Sequence, residues 1–293
     1  MELRPFDYEH DLTTVLGLFQ NGLSRTGDRA WFDWKHRDNP FGPSPGFVAE
    51  LEGRVVATRF FLRWRFRDRE RVVSAIRPVD TVVHPSARRR GVFTKLTLYG
   101  LEQIPAEQRE LVFNTPNRNS LPGYLKMGWE IHGEPLTYCY RPTLPLLPRN
   151  EVHLHASLPS GSGLHLRAAA RLATDADAAF VSWRYGRPPY RFATYADDRS
   201  ALLVYRLLRI KGVPVLSVSD YVGEPELQLP LVYAAAAREH CPLLHCLADD
   251  PAWPAGNRGL RLRRGESLVA MRGEAVLLEQ PYLFSPGDLE DIL

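Results

Sequence analysis

Arg88, Arg89, Arg90 and Gly91 form the tightest knot of positive charge in this chain, and they lie at a joint between two kinds of periodicity. Upstream, "DTVV" carries β-branched residues into Pro85, as a strand that stops there would. Downstream, Phe93, Leu96, Thr97, Gly100, Leu101 and Ile104 follow helical spacing until Pro105 closes the segment. The first turn of a helix exposes unpaired N–H groups and a partial positive charge, so it attracts anions. Arginine adds planar, permanently charged donors that match phosphate oxygens. Glycine at 91 allows close approach of the backbone to a ligand. The joint therefore reads as a pyrophosphate site built mainly from main-chain amides, or else as a solvated charge run that only caps a helix.

The elements around the joint follow from periodicity. Leu12, Val15, Leu16, Phe19 and Leu23 recur at the spacing of an amphipathic helix, which Asn21-Gly22 would end. "AWFDWKHRDNPFGPSPG" reads as a short helix running into an irregular loop. Three antiparallel strands are expected at about 46–51, 54–66 and 72–83, parted by Glu52-Gly53 and the polar Arg67–Arg71 turn. Arg63, Arg65 and Arg67 alternate with Leu62, Trp64 and Phe66, as on a half-buried strand with one solvated face. "ELVFN" is a short buried strand, and "SLPGYLKMG" a short helix with Ser120 as cap, Pro122 in the first turn and Gly128 at its end. "WEIHG" and "LTYCYRP" supply two more strands.

Composition narrows the classes. With 293 residues, 44% hydrophobic and 24% charged, the chain suits two globular domains. The net charge of +3 is too small to imply nucleic acid. No apolar run approaches membrane-spanning length and "MELRPFDYEH" lacks the features of a secretory signal, so a cytoplasmic location is expected, with no membrane partner. Cys139, Cys241 and Cys246 are not at metal-ligand spacing and read as small buried residues; no metal is expected.

Against that background, "VVHPSARRRGVFTKL" resembles the acetyl-coenzyme A loop of the Gcn5-related N-acetyltransferases, the GNAT superfamily, whose pattern is Arg/Gln-x-x-Gly-x-Gly/Ala after a strand. Arg88 and Gly91 match, and Phe93 stands where Gly or Ala is usual. In "NTPNRNSLPGYLKMGW", Asn117, Ser120, Tyr124, Gly128 and Trp129 fit the superfamily's second motif at the right distance downstream. The bulky residue at 93 resembles the branch of enhanced-intracellular-survival acetyltransferases, built from tandem GNAT domains.

The resemblance implies an α/β (α+β) GNAT fold: a mixed, mostly antiparallel sheet flanked by helices, in two tandem GNAT-like domains. It implies acetyl-CoA as the acyl donor, held by Thr81, Val82, Val83, Arg88, Arg89, Arg90, Gly91, Val92, Phe93, Thr94, Asn117, Asn119 and Ser120. Tyr124 occupies the family's general-acid position, and Asp80 on the cofactor strand is the candidate base. Trp34, His36 and Phe41 are expected to line the acceptor pocket. In the tandem branch the C-terminal carboxylate can enter the site, which raises the same question for "SPGDLEDIL".

The second half echoes the first. Trp183-Arg184-Tyr185 aligns with Trp34-Lys35-His36, each followed by prolines, a strand, a polar turn and a longer strand. The Pro-rich stretch after residue 142 reads as a connection. The expected division is a catalytic domain at 1–142, a linker at 143–163 and a degenerate GNAT-like domain at 164–293. The second copy lacks the arginine knot and places Asp220, Glu224 and Glu226 where a pyrophosphate would lie, so it should not bind the cofactor. The expected activity is acetyl transfer to a primary amine of a small molecule such as an amino sugar, antibiotic or metabolite. A protein or peptide acetyltransferase, an aminoacyl-tRNA-dependent transferase and a non-catalytic CoA-binding protein stay open, as does the oligomeric state.

Overall fold

A computed structural model of the chain describes residues 1–22, 28–143, 152–159, 171–196, 201–248, 250 and 266–289. They belong to two compact units. One comprises Met1–Phe66, Val72–His132 and Val269–Gln280, the other Arg67–Arg71, Gly133–Leu268 and Pro281–Leu293. The division is not linear in sequence, unlike a cut at 142. Most of the connection expected at 143–163 lies outside the described residues, as does the chain's last segment, 290–293.

The first unit is a mixed sheet in the order β1 (Glu2–Pro5), β2 (Gly46–Leu51), β3 (Arg54–Arg67), β4 (Val72–Val83), β5 (Leu111–Asn114), flanked by helices. The strands expected at 46–51, 54–66 and 72–83 are present almost residue for residue. Glu52 and Gly53, at φ 53° and 72°, form the tight turn that fixes the β2–β3 register. β4 and β5 are parallel, with Ala75 opposite Leu111 and Ile76 opposite Val112; β4 then runs on to Val83 while β5 stops at Asn114. β1 was not expected, since four residues on an edge are too few to show a period.

Both faces of this sheet are covered. Helix α1 (Tyr8–Gly22) packs Leu12, Val15 and Phe19 with Val48, Phe60 and Val82. After the short helix α2 (Arg29–Phe32), helix α3 (Val92–Gln103) packs Val92, Leu96 and Leu101 with Phe47, Phe61, Ile76 and Val112 on the other face. Helix α4 (Leu121–Lys126) adds Tyr124 to that second core. Consequently Val56 to Leu62 of β3 are buried without alternation. Arg63, Arg65 and Arg67 do alternate, but the solvated face expected of them is half-buried and engaged: Arg63 donates to the Pro43 carbonyl and Gln108, and Arg65 lies over the Phe41 ring.

Two expected strands, "WEIHG" and "LTYCYRP", are a single strand, β6 (Glu130–Pro142). Its far end, Tyr138–Pro142, ladders with Leu243–Leu247 in the second unit. In return a strand from late in the sequence, Glu266–Gly273, expected in the second copy, places Ala270–Gly273 antiparallel to β5 in the first unit. Each unit thus borrows a strand that is remote in sequence.

Within the second unit, β7 (Val152–His155), β9 (Arg191–Tyr195), β10 (Leu202–Ile210), β11 (Val213–Val222) and β12 (Leu243–Leu247) lie side by side, and β8 (Leu172–Thr174) pairs with Tyr282–Leu283. β11 and β12 are parallel, as β4 and β5 are. Helix α5 (Ala178–Tyr185) precedes β9, and helix α6 (Pro225–Arg238) covers the sheet through Leu231, Val232 and Ala235. Cys139, Cys241 and Cys246 are buried free thiols here. Among the described residues no helix is long and apolar enough to cross a membrane.

Candidate active site

The arginine knot folds as a turn between β4 and α3. His84 to Ala87 make one short 3₁₀ turn, and Arg88 Nε donates to the Val83 carbonyl at 3.2 Å. Arg89 and Gly91 both have positive φ, 61° and 70°, and Gly91 is the N-cap of α3 with no side chain to cap the first-turn N–H groups. Arg88, Arg89 and Arg90 are exposed, and among the described residues no carboxylate pairs with them. A surface that leaves donors and charge uncommitted in this way fits a phosphate group.

Beyond this turn the expected cofactor residues separate by face. Val82 points into the α1 core, while Val83 packs on the α3 core and Thr81 faces Arg59. Val92 is buried and Thr94 half-buried. Asn117 and Ser120 close a local turn: the Asn117 side chain accepts from the Asn119 and Ser120 amides at 2.9 and 3.0 Å. Asn117, rather than Ser120, therefore does the capping ahead of α4, since the Ser120 side chain makes no cap bond of its own.

Tyr124 sits on α4 with 4% exposure, between Phe93 at 5.4 Å and Trp129 at 5.2 Å. Its oxygen accepts a 2.7 Å hydrogen bond from Arg59 Nη2, and Arg59 Nη1 donates to Thr81 Oγ1. The phenol thus receives one hydrogen bond from a cation and keeps its own proton to donate. Arg59 was not foreseen. The signal was in the sequence: a single arginine inside the apolar run "VVATRFFL", where a doubly covered strand tolerates no solvated charge. Removing such a charge from water costs several kcal/mol, offset by Phe60, Phe61 and Leu62 at roughly 1.5–3 kcal/mol each.

Phe93, the departure from the usual loop pattern, has a structural reason. It stands edge-on to Tyr124 and its ring faces Arg59 at 5.2 Å, so it walls the phenol and the guanidinium together. It also makes Gly123 obligatory, because a Cβ there would come within 2.9 Å of the Phe93 ring.

Asp80 and His36, named separately as base and pocket residue, come together. A π-helical turn at Asp33–Arg37, closed by Asp38 N–H to the Asp33 carbonyl, turns both Lys35 and His36 inward. Lys35 Nζ lies 2.6 Å from Asp80 Oδ2, and His36 Nε2 lies 3.1 Å from the same oxygen. Burial opposes ionisation of Asp80, but the Lys35 charge and His36 outweigh it and hold the carboxyl well below the usual range. Burial likewise pushes the His36 imidazole down, against the pull of Asp80. Asp80 is at φ 49°, a left-handed position that interrupts β4. Of the other aromatics, Trp34 is half-buried, and Phe41 lies beside Trp64 and under Arg65.

Residues 3–132 match the family described as acetyltransferase (GNAT) domain. They form a GNAT acetyltransferase domain. The solved structures show the same fold over both units. A GCN5-related N-acetyltransferase from Anabaena variabilis is 12% identical with a TM-score of 0.70, covering 92% of this chain and 72% of that one. Eis1 from Mycobacterium abscessus is 15% identical with a TM-score of 0.65, covering 94% and 74%. Saccharomyces cerevisiae N-myristoyltransferase with bound myristoyl-CoA is 12% identical with a TM-score of 0.54, covering 92% and 81%. No curated protein matches the sequence.

The second unit repeats the buried centre of the GNAT domain with different chemistry. Tyr185, aligned with His36, donates to Asp220 Oδ2 at 2.7 Å, and Arg184, aligned with Lys35, donates to Tyr190 Oη at 2.9 Å and the Gly287 carbonyl at 2.7 Å. Asp220 is therefore internal and not at a phosphate position, whereas Glu224 and Glu226 are exposed at the start of α6. The segment Ser285–Asp288 closes over this centre, with Asp288 accepting from Thr174 Oγ1 and the Ser285 amide. A Cβ at Gly287 would fall 2.1 Å from Tyr185 Oη and 3.0 Å from the Ser219 carbonyl. Gly287→Ala is expected to destabilise this unit by about 1–3 kcal/mol through overpacking, seen as a melting point lower by roughly 2–8 °C. An unchanged melting curve would mean that the segment is not seated there.

Proposed function

We propose that the GNAT domain binds acetyl-coenzyme A and transfers the acetyl group to a primary amine of a small molecule, such as an amino sugar, an antibiotic or another metabolite, by direct attack. The observation that carries the reading is Tyr124: a buried phenol whose oxygen accepts from Arg59, behind a helix N-terminus fronted by three exposed arginines that pair with no carboxylate among the described residues. The donor would supply an activated thioester. Gly91, Val92 and the first turn of α3 would hold its pyrophosphate with main-chain N–H groups, and Arg88, Arg89 and Arg90 would screen its charge. Tyr124 would give its proton to the departing sulfur. That N-myristoyltransferase, a protein of similar fold, carries myristoyl-CoA supports an acyl-CoA donor for this chain.

We assign Asp80 to positioning Lys35 and His36, because its ionised state is held by both. The second unit would be silent toward coenzyme A, since exposed Glu224 and Glu226 stand at the helix start that corresponds to Gly91 and α3.

Calorimetry with coenzyme A tests the assignment. One molecule binds per chain, and Arg88→Ala with Arg90→Ala weakens binding by roughly tenfold or more, as expected for charge-assisted bonds. Two molecules per chain would refute a silent second unit, and no binding would refute the donor. A coenzyme A release assay over a panel of amines then identifies the acceptor class.

A further inference from the structure

Arg59 is an internal cation with no counter-ion among the described residues. It is 1% exposed, and its neighbours are two hydroxyls, Thr81 Oγ1 and Tyr124 Oη, and the rings of Phe61, Phe93 and Tyr124 at 5.5, 5.2 and 5.4 Å. Its Nε is buried and has no hydrogen-bond partner among the described residues. Three ring faces compensate a guanidinium only in part. Of the charged groups on the elements around it, Asp80 is committed to Lys35 and His36, and Arg272, from the strand beside β5, lies over the face of Trp129 at 5.4 Å. Among the described residues no carboxylate is within ion-pair distance of Arg59.

The fold itself does not demand this charge. Phe47 of β2 is opposite Arg59, and the corresponding Phe192 of β9 is opposite Val204 in the second unit. The unit that keeps the arginine knot has a cation at this register, and the unit that lacks the knot has an apolar residue there.

We propose that Arg59 is the positioning residue of a thiolate subsite: it holds the Tyr124 hydroxyl as a donor and supplies the positive charge that matches the sulfur anion of the coenzyme A product. The inference rests on the acyl-CoA reading above. When the acyl carbon–sulfur bond breaks, the electron pair stays on sulfur, and the acyl carbon is bonded to the amine nitrogen. Sulfur takes the phenolic proton, leaving a phenolate against Arg59. The proton lost by the newly acylated nitrogen passes to solvent, and the phenolate recovers one from solvent. Charge is thus matched at each stage by a guanidinium already in place, which needs no reorganisation.

Binding measurements test this without knowledge of the acceptor. Coenzyme A and desulfo-coenzyme A, which lacks the thiol, are titrated into the full chain by calorimetry at about pH 6.5 and about pH 9, on either side of an ordinary thiol pKa. The wild type is expected to favour coenzyme A over the desulfo compound by about tenfold to a hundredfold at the higher pH, the size of a charge-assisted bond, and by much less at the lower. Arg59→Met, an apolar replacement of the kind Val204 exemplifies, and Tyr124→Phe abolish that preference while desulfo-coenzyme A still binds, which also reports that each variant is folded; Arg59→Lys keeps part of it. A wild type with no sulfur preference, or an Arg59→Met protein that retains it, overturns the subsite and leaves the acyl-CoA reading intact. Failure of the wild type to bind either compound overturns both.

Discussion

Tyr124→Phe is expected to lower kcat by about 10²–10⁴-fold while the affinity for acetyl-coenzyme A is unchanged, the span that a positioned general acid contributes. The substitution keeps the ring that packs between Phe93 and Trp129 and removes only the oxygen that Arg59 holds. On the proposed reading the chemistry loses its proton donor, and the turn around Gly91 is untouched. Arg59 Nη2 is left without an acceptor, at a cost of roughly 1–3 kcal/mol, so kinetics belong well below the melting temperature. Steady-state coenzyme A release together with calorimetry separates the two effects. Unchanged turnover would remove Tyr124 from the mechanism, and a parallel loss of affinity would make it a packing residue.

The largest effect on stability is expected from Asp80→Ala. It strands Lys35, 1% exposed, and His36, 2% exposed, without their shared carboxylate. Breaking a buried pair from one side costs about 3–5 kcal/mol, which lowers the melting temperature by on the order of 10 °C. Lys35→Met combined with Asp80→Leu should recover much of the loss, because an apolar replacement of both partners leaves no unpaired charge. If the single variant melts with the wild type, the ion pair is not formed in solution.

The same centre sets an acid limit. Asp80 has a depressed pKa, so its contribution is complete above the ordinary value of 3.8 and is lost as pH falls through the lower folded value. His36 is also depressed from 6.5: it stays neutral in the fold and charges on unfolding. The unfolded chain therefore takes up a proton first, and stability falls as pH drops below 6.5, by at most about 1.4 kcal/mol per pH unit for this one group. Denaturant melts from about pH 7 to about pH 5 should show that slope, reduced in His36→Phe.

Much of the local structure around the candidate site was legible before any coordinates, and the reason is local. Gly91 needs positive φ, the arginines need no partner, and the α3 period starts at once after them; each is a property of neighbours in sequence. The short helix that carries Tyr124 was legible because Pro122 and Gly128 bracket it in sequence. The strands β2 to β4 were legible because tight turns part them and each carries its own pattern.

What neighbours in sequence cannot show is which distant residues meet. Asp80 reads alone as an acid on a strand, and only the π-helical turn at Asp33–Arg37 brings Lys35 and His36 onto one of its oxygens. Arg59 reads as an interruption of an apolar strand, and only the covering of both sheet faces makes it an internal cation on Tyr124. The exchange of Glu130–Pro142 and Glu266–Gly273 between units was likewise hidden, since backbone hydrogen bonds in a sheet edge take any strand of fitting length and carry no sequence label. The arginine-rich turn and its helix are thus written in contiguous residues, whereas the charge beside the Tyr124 phenol is set by long-range pairing in the folded chain.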